Sequence, residues 1–205
     1  MAAVRGDATD EMLMVRYQRG DREAFVELLR RYQKPIYNFV LRQVRQGSAA
    51  EDVTQEVFLR LVQNAAEFKH EARFSTWLYT IARNLCIDSL RKLAHRRHAS
   101  LDQPAGDGSD PRPLVDSIPD PKPRTSAERS ALSGEMQSSL VKAVESLPED
   151  QREVFLLREV AELPFKEIAL ITGVGENTVK SRMRYALDRL RQTLSEFEEY
   201  ARALR

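Results

Sequence analysis

The stretch FKEIALITGVGENTVKSRMRYALDRLRQTL, residues 165–194, decides the fold of the C-terminal part of this chain. It follows Pro164, where a helix can restart, as another can at Pro148. Gly173 divides a short apolar segment from a longer cationic one. The pattern predicts a short helix over 165–171, a tight turn that contains the glycine, and a long helix from about Glu176. Two helices joined in this way, the second longer and basic, form a helix-turn-helix.

The long helix carries an excess of positive charge. Between Asn177 and Arg191 there are five cations and a single acid, Asp188. This charge suits contact with phosphates, and the N-terminal end of such a helix is the part that reaches base edges. From these residues alone, a plain three-helix bundle with a solvated basic helix remains an alternative.

A second informative stretch is FSTWLYTIARNLCIDSLRK, residues 74–92. It opens with aromatic residues, continues through Arg83 and Asn84, and ends in a basic cluster. Helical spacing predicts a buried face made of Leu78, Ile81, Ala82 and Leu85. Another face of the same helix carries Thr80, Asn84, Asp88 and Arg91.

A third stretch, AAEDVTQEVFLRLVQN at residues 49–64, also has helical periodicity. Just before it, Ser48 and Glu51 match a capping box, which predicts a helix start there. The predicted apolar stripe consists of Val53, Val57, Leu61 and Val62. The residues expected to point largely outward are Asp52, Gln55, Glu56 and Arg60. Earlier in the chain, Pro35 is expected to lie in the first turn of a new helix.

The chain is predicted to be all-α, with two small helical domains joined by a flexible linker. The domains cover 9–98 and 134–205, where apolar residues recur at helical spacing. The segment 99–133 holds six of the nine prolines and five aspartates. Because it has too little apolar surface to offset the entropy of ordering, we expect an extended, acidic linker.

Composition restricts the remaining possibilities. The net charge of the 205 residues is +1, so only the local distribution of charge carries information about a polyanionic partner. A single cysteine, Cys86, excludes an internal disulfide and multi-cysteine metal motifs. No secretory signal and no long apolar run is visible, so we expect a cytoplasmic protein without membrane insertion. We find no metal set, no cofactor motif and no catalytic constellation, and expect a protein that is not an enzyme.

The three stretches together carry a resemblance. The helix-turn-helix stretch resembles region 4 of bacterial sigma factors, in which EIA, a turn glycine and TVKSR recur in that order. The stretches at 49–64 and 74–92 resemble region 2 of the same family. Without a long N-terminal extension or a region 3, the chain resembles the small extracytoplasmic-function (ECF) group of the sigma-70 family.

The resemblance implies a promoter-specificity subunit of RNA polymerase. In the family, region 2 holds the melted -10 element and a flipped base, while region 4 binds the duplex -35 element. A single-stranded partner suits residues 74–92, because bases stack on aromatic rings while cations follow the backbone. The residues implied for the -10 element are Phe68, Trp77, Thr80, Arg83, Asn84, Asp88 and Arg91. Phe68 and Asn84 fall where the family builds the base pocket, and Trp77 could equally be structural.

The resemblance also assigns the other surfaces. The residues implied for the -35 element are Glu176, Asn177, Thr178, Lys180, Ser181, Arg184 and Tyr185. Docking on core RNA polymerase is implied for Asp52, Gln55, Glu56 and Arg60. Tyr185 stands where the family commonly places an arginine, and Gly175 stands where a capping side chain is common. These differences put the sequence of the upstream element in doubt and leave the fold unaffected.

Partners follow from the same resemblance: core RNA polymerase, promoter DNA and an anti-sigma factor. The alternative is a helix-turn-helix regulator that acts without polymerase. Such a regulator would need dimer symmetry for paired half-sites, and it would have no use for a helix that captures a single strand.

Overall fold

The computed structural model describes residues 8–69, 73–100 and 138–195, and every regular element within these ranges is a helix. The helices are α1 (Asp10–Gln18), α2 (Arg22–Val44), α3 (Gly47–Gln63), α4 (Phe74–Ser100), α5 (138–146), α6 (Glu149–Glu159), α7 (Phe165–Thr172) and α8 (Glu176–Thr193), with a short 3-10 helix at Ala65–Glu67. The predicted all-α fold is confirmed. The predicted linker, 99–133, lies outside the described residues apart from the end of α4.

Helices α1 to α4 form an N-terminal bundle around α2, which packs against the other three. The side chains of Leu28, Ile36 and Phe39 are almost fully buried, and the Phe39 ring meets Tyr79 of α4 edge-on at 5.3 Å between centroids. Side chains cap the starts of two helices. At the start of α1, the Thr9 hydroxyl accepts a hydrogen bond from the Met12 N–H. Asp21 does the same for the first turn of α2.

Helices α7 and α8 form the helix-turn-helix, which confirms that prediction, and they pack with α6 in a C-terminal bundle. Pro148 and Pro164 each immediately precede the first residue of a helix, as predicted. Gly173 ends α7 with φ at 72°, a left-handed angle that glycine adopts without steric cost, and its N–H reaches the Ala169 carbonyl at 2.9 Å. Gly175 precedes α8 without a side-chain cap.

Pro35 does not start a new helix, and that prediction was wrong. Helix α2 continues through it from Arg22 to Val44. Proline removes one backbone hydrogen bond and usually kinks or ends a helix. Here Leu28, two turns before Pro35, and Ile36, directly after it, are buried in the same core. Tertiary packing on both sides of the proline therefore keeps the helix continuous.

The predicted capping box at Ser48 and Glu51 is also wrong. Helix α3 begins one residue earlier, at Gly47, with Gln46 as its N-cap and no side-chain capping bond. Ser48 therefore already lies inside the first turn, where its hydroxyl cannot act as the cap. The predicted apolar stripe needs one correction as well. Val62 is 41% exposed, while Thr54 and Phe58 complete the buried face of α3.

The two bundles are in contact with each other. Helix α4 packs against α7, α2 touches α6, and the buried apolar residues of both bundles form one continuous core. As a result, α4 is covered by its own bundle and also by the helix-turn-helix.

Candidate nucleic-acid and polymerase interfaces

Helix α8 presents the predicted DNA-binding residues on one accessible surface. Its buried side consists of Val179, Met183, Ala186 and Leu190, which hold it against α6 and α7. The exposed predicted residues are Glu176, Asn177, Thr178, Lys180, Arg184 and Tyr185, and Ser181 is partly buried. The helix thus exposes its N-terminal half to solvent, as insertion into a major groove requires.

The charged groups on this surface form exposed pairs that contribute little to stability. The Lys180 ammonium lies 2.7 Å from the Glu176 carboxylate, in an exposed pair one helical turn apart. Pairs of this kind contribute about 0–1 kcal/mol, so a phosphate can replace the carboxylate at small cost. The Arg184 guanidinium lies over the Tyr185 ring at 5.1 Å from its centroid, which places cation and ring together. Arg182, in contrast, pairs with Asp150 at 3.1 Å and ties α8 to the start of α6.

On α4, the predicted strand-reading residues divide into two groups. Asn84, Asp88 and Arg91 are exposed, and the two charged residues approach each other only to 3.9 Å. The amide of Asn84 can therefore present both a donor and an acceptor to a base edge. This exposed group belongs to the middle of the helix.

The other group, Arg83 and Thr80, is less exposed. The Arg83 guanidinium donates to the Glu153 carboxylate of α6 at 2.7 Å, and the Arg83 side chain is only 22% exposed. Thr80 is partly buried, and its hydroxyl donates to the Thr76 carbonyl at 2.7 Å. Arg83 would have to leave Glu153, and Thr80 would have to become more exposed, before either side chain could contact DNA.

Phe68 and Trp77 belong to an aromatic cluster at the start of α4. The rings of Phe68 and Trp77 lie 5.3 Å apart, and both pack against Phe74, which is fully buried. Phe68 is 6% exposed and Trp77 is partly buried. Asn84 comes seven residues after Trp77, about 10 Å further along the helix axis. The shared base pocket of Phe68 and Asn84 stays a prediction.

Helix α3 presents the predicted polymerase-docking residues on the side opposite its core. Asp52, Gln55 and Arg60 are exposed, and Glu56 is partly buried and accepts a hydrogen bond from Arg60 at 3.0 Å. Leu59 lies among these residues and is 54% exposed. An apolar side chain inside a polar rim is typical of protein interfaces.

Sequence reasoning missed Leu59, although the signal was present. Its position on the helical wheel falls between Asp52 and Gln55, on the outward side, where a leucine has no partner in its own bundle. The carboxylates of Glu153 and Glu167 that meet α4 were missed because they come from a distant part of the chain.

Three other features concern the cysteine thiol, metal binding and membrane insertion. Burial raises the pKa of the Cys86 thiol to about 12, with a smaller contribution from Glu153, so the thiol stays neutral at physiological pH. The ranges 8–69, 73–100 and 138–195 contain no group of acidic, histidine and cysteine side chains able to hold a metal ion. None of the helices in those same parts of the chain combines the length and hydropathy that a membrane span requires.

Two family profiles match this chain. The one described as Sigma-70 region 2 matches residues 28–96, and the one described as Sigma-70, region 4 matches residues 137–190. The first match runs from α2 through α4, and the second covers α5 to α8. The region 2 match begins inside α2 and leaves out α1, while the region 4 match ends three residues before the end of α8.

Similar proteins extend over nearly the whole chain. The RNA polymerase sigma-H factor of Pseudomonas aeruginosa is 33% identical over 188 residues, which is 90% of this chain and 95% of that protein. The ECF RNA polymerase sigma-E factor of Escherichia coli is 34% identical over 190 residues, covering 91% and 96% respectively. The RNA polymerase sigma factor CarQ of Myxococcus xanthus is 30% identical over 185 residues, or 90% and 97%.

Solved structures share the fold. The sigma factor RpoE of Bartonella quintana, solved in complex with the anti-sigma factor NepR, superposes with a TM-score of 0.64 at 22% identity, covering 83% of this chain and 96% of that one. CnrH, solved in complex with the cytosolic domain of CnrY, gives the same TM-score at 18% identity, with 92% and 99% covered.

Proposed function

Because the chain belongs to the ECF group of the sigma-70 family of sigma factors, we propose that it directs bacterial RNA polymerase to promoters by reading two DNA elements. In this proposal α8 reads the duplex -35 element and α4 captures the melted -10 element. The alternative is a regulator that works without polymerase, and the same binding and transcription experiment tests it. The observation that carries the proposal is that α8 and α4 each expose polar and cationic side chains suited to DNA, in separate parts of the chain.

The helix-turn-helix supplies the duplex contact. We assign it to Glu176, Asn177, Thr178, Lys180, Ser181, Arg184 and Tyr185, the surface that α8 turns away from α6 and α7. Asn177 and Thr178 lie in the first turn, the part of such a helix that reaches base edges. Lys180 and Arg184 supply positive charge one turn further on, where phosphates or base acceptors can receive their hydrogen bonds.

Helix α4 and the residues before it supply the single-strand contact. We assign it to Phe68, Trp77, Thr80, Arg83, Asn84, Asp88 and Arg91. Asn84 reads a base edge, and Arg91 follows the backbone from the same exposed side. Trp77 can offer its accessible ring surface as a platform, while Phe68 acts from below by supporting the Trp77 ring at 5.3 Å.

Docking on the core enzyme is assigned to α3. Asp52, Gln55, Glu56 and Arg60 form a polar rim around the exposed Leu59. In this proposal, residues 9–98 form the domain that docks on core polymerase and captures the -10 element. Residues 99–133 form the linker, and residues 134–205 form the domain that binds the -35 element. We further propose a cytoplasmic protein whose activity is held in check by an anti-sigma factor, as in the complexes of RpoE with NepR and CnrH with CnrY.

The test combines binding and transcription. The purified full chain is mixed with sigma-free core polymerase, and the complex selects promoter fragments from sheared bacterial DNA for run-off transcription. We expect co-elution with the core enzyme and transcripts that require both components. Arg60→Ala should reduce co-elution, and Arg22→Ala, which truncates an exposed arginine on α2, is the matched control.

Two results would reject the proposal. One is a chain that fails to bind core polymerase at all. The other is a chain that protects specific duplex sites as a dimer in the absence of polymerase, which is how a self-sufficient helix-turn-helix regulator behaves.

A further inference from the structure

Helix α1 is firmly anchored, although it lies outside the region 2 match, which begins inside α2. Its residues Leu13 and Met14 are buried in the core of the N-terminal bundle. At its start, the Asp10 carboxylate accepts hydrogen bonds from the Tyr32 hydroxyl at 2.6 Å and from the Arg31 guanidinium at 2.7 Å. Because these contacts fix α1 against α2, its other side chains project from a rigid helix.

Gln18, the last residue of α1, holds the turn that follows α3. Its side-chain amide donates one hydrogen bond to the Ala65 carbonyl at 2.8 Å and another to the Phe68 carbonyl at 3.0 Å. An amide NH₂ group carries two hydrogens, so one side chain can make both bonds at once. Ala65 begins the short 3-10 helix and Phe68 directly follows it. The amide of Gln18 therefore sets the backbone of Phe68 relative to α1.

Glu11 makes a corresponding contact with the start of α4. Its carboxylate accepts a hydrogen bond from the backbone N–H of Phe74, the first residue of α4, at 3.0 Å. The first N–H groups of a helix have no partner within that helix, and its dipole favours a negative charge near them. Glu11 therefore acts as a helix cap that comes from another helix.

The two contacts bracket the aromatic cluster that carries Trp77. Glu11 and Gln18 are seven residues apart, so they lie on the same side of α1, about 10 Å from each other along its axis. The rings of Phe68 and Phe74 lie 5.3 and 6.2 Å from the ring of Trp77. Each backbone group that α1 holds thus belongs to a residue whose ring supports Trp77.

We propose that Gln18 and Glu11 are positioning residues for capture of the -10 strand. They hold the backbone at Phe68 and at the start of α4, so that the accessible surface of Trp77 meets a base in a fixed orientation. This inference rests on the proposed function of α4. Helix α1 itself touches no DNA, and it raises affinity because a stacking platform that is already ordered loses less conformational entropy on binding.

The experiment measures binding of the -10 strand by the holoenzyme. The probe is a fluorescein-labelled single strand of about 12 nucleotides, which spans the -10 element of a promoter selected by the wild-type holoenzyme. Gln18→Met keeps a long, unbranched side chain but removes both donors, and we expect it to weaken binding about three- to tenfold. Gln33→Met is the matched control, because Gln33 is an exposed amide on α2, and its affinity should equal that of wild type.

Glu11 allows a test by conservative replacement. Glu11→Gln keeps a side-chain oxygen that can accept the Phe74 N–H, whereas Glu11→Met removes it. We expect Glu11→Met to weaken strand binding about threefold or more, and Glu11→Gln to bind like wild type. An equal loss in both variants would assign the effect to the negative charge and would reject a positioning role for Glu11.

A second readout follows the Trp77 ring itself. Trp77 is the only tryptophan, so its fluorescence in the free chain reports how well the ring is packed. We expect stronger quenching by acrylamide in Gln18→Met and Glu11→Met than in wild type. Asn84→Ala should instead bind the strand weakly with unchanged quenching, because it removes a base contact and leaves α1 intact. Circular dichroism melts verify folding, and if Glu11→Met does not fold, Gln18→Met decides, since Gln18 is exposed.

Two results would overturn the positioning role: a folded Gln18→Met holoenzyme that binds the strand like wild type, or weaker binding with unchanged quenching of Trp77. A purely structural role would lower the melting temperature and leave strand affinity of the folded holoenzyme unchanged. If wild type supports polymerase-dependent transcription while the α1 variants bind the strand normally, only the positioning role is rejected. If wild-type holoenzyme selects no promoter, the proposed function is rejected together with it.

Discussion

Helix α8 buries four apolar side chains on one side and leaves the remainder of its surface to solvent, whereas α4 is covered both by its own bundle and by the helix-turn-helix. Lys180 and Arg191 pair with near neighbours along α8, while Arg182 pairs with Asp150 of α6. On α4, Arg83 and Thr76 instead contact Glu153 and Glu167, which lie 70 and 91 positions away. The exposed surface of α8 is thus accessible, while part of α4 is in contact with α6 and α7.

The difference between α4 and α8 should be largest in their contribution to the free energy of unfolding. Phe74→Ala removes a fully buried ring that contacts Tyr32, Phe68 and Trp77, and we expect it to lower the free energy of unfolding by about 3–5 kcal/mol. Urea unfolding followed by the fluorescence of Trp77, the only tryptophan, measures this directly. Tyr185→Ala on α8 is the comparison, since that ring is 50% exposed and should cost less than about 1 kcal/mol. Equal losses would mean that α4 carries no more of the core than α8 does.

The second prediction concerns the open surface of α8. We expect Lys180→Ala and Arg184→Ala each to weaken binding of the holoenzyme to upstream duplex DNA, by about 1–3 kcal/mol where a base-edge contact is lost. A variant that loses only a phosphate contact should weaken all sequences alike and reduce the salt slope by about one unit. Fluorescence anisotropy over a salt series separates the two cases.

Arg191→Ala, which truncates an exposed arginine near the end of α8, serves as the control for that series. Unchanged affinity in both Lys180→Ala and Arg184→Ala would show that the basic side of α8 faces solvent in the promoter complex. The contrast between an accessible α8 and a covered α4 would then have no functional meaning.

The smallest effect is expected on α3, whose exposed side resembles that of α8 but carries an apolar centre. Leu59→Ala should weaken binding to core polymerase by about 1 kcal/mol or more, because an apolar side chain that is buried on docking contributes more than the rim around it. Val26→Ala on α2 is a closely matched control, since both side chains are 54% exposed in the free chain. Biolayer interferometry with immobilised core enzyme gives the ratio. A loss no larger than that of Val26→Ala would place Leu59 outside the interface.

Local signals explain what could be predicted about the fold from the sequence. Gly173, Pro148 and Pro164 act on the backbone within a few residues of themselves, so the helix-turn-helix and its restarts were predicted correctly. Pro35 has the same local meaning, yet packing on both sides of it keeps α2 continuous. The capping prediction at Ser48 was wrong because helix α3 starts two residues earlier than a cap at Ser48 implies.

The site was predictable where a residue's role depends on its own helix, as for Asn84, whose exposure follows from helical spacing. It was not predictable where the role depends on another part of the chain. Nothing near Arg83 in the sequence indicates that Glu153 will pair with it, and nothing near Phe68 indicates that it will lie beneath Trp77. Such contacts are set by the packing of whole helices, which no local pattern encodes.

Promoter opening by the Asn84→Ala holoenzyme tests the central claim most directly. Permanganate footprinting on a selected promoter reports unpaired thymines in the -10 region, with Gln33→Ala, an exposed amide on α2, as the matched control. Binding to core polymerase should stay normal, because the proposed docking residues lie on α3. Footprint intensity should fall strongly, because capturing an extruded base must compensate a few kcal/mol of unstacking. A template with a pre-melted bubble should restore transcription only in part. If Asn84→Ala opens the promoter as fully as wild type does, α4 does not read the melted strand.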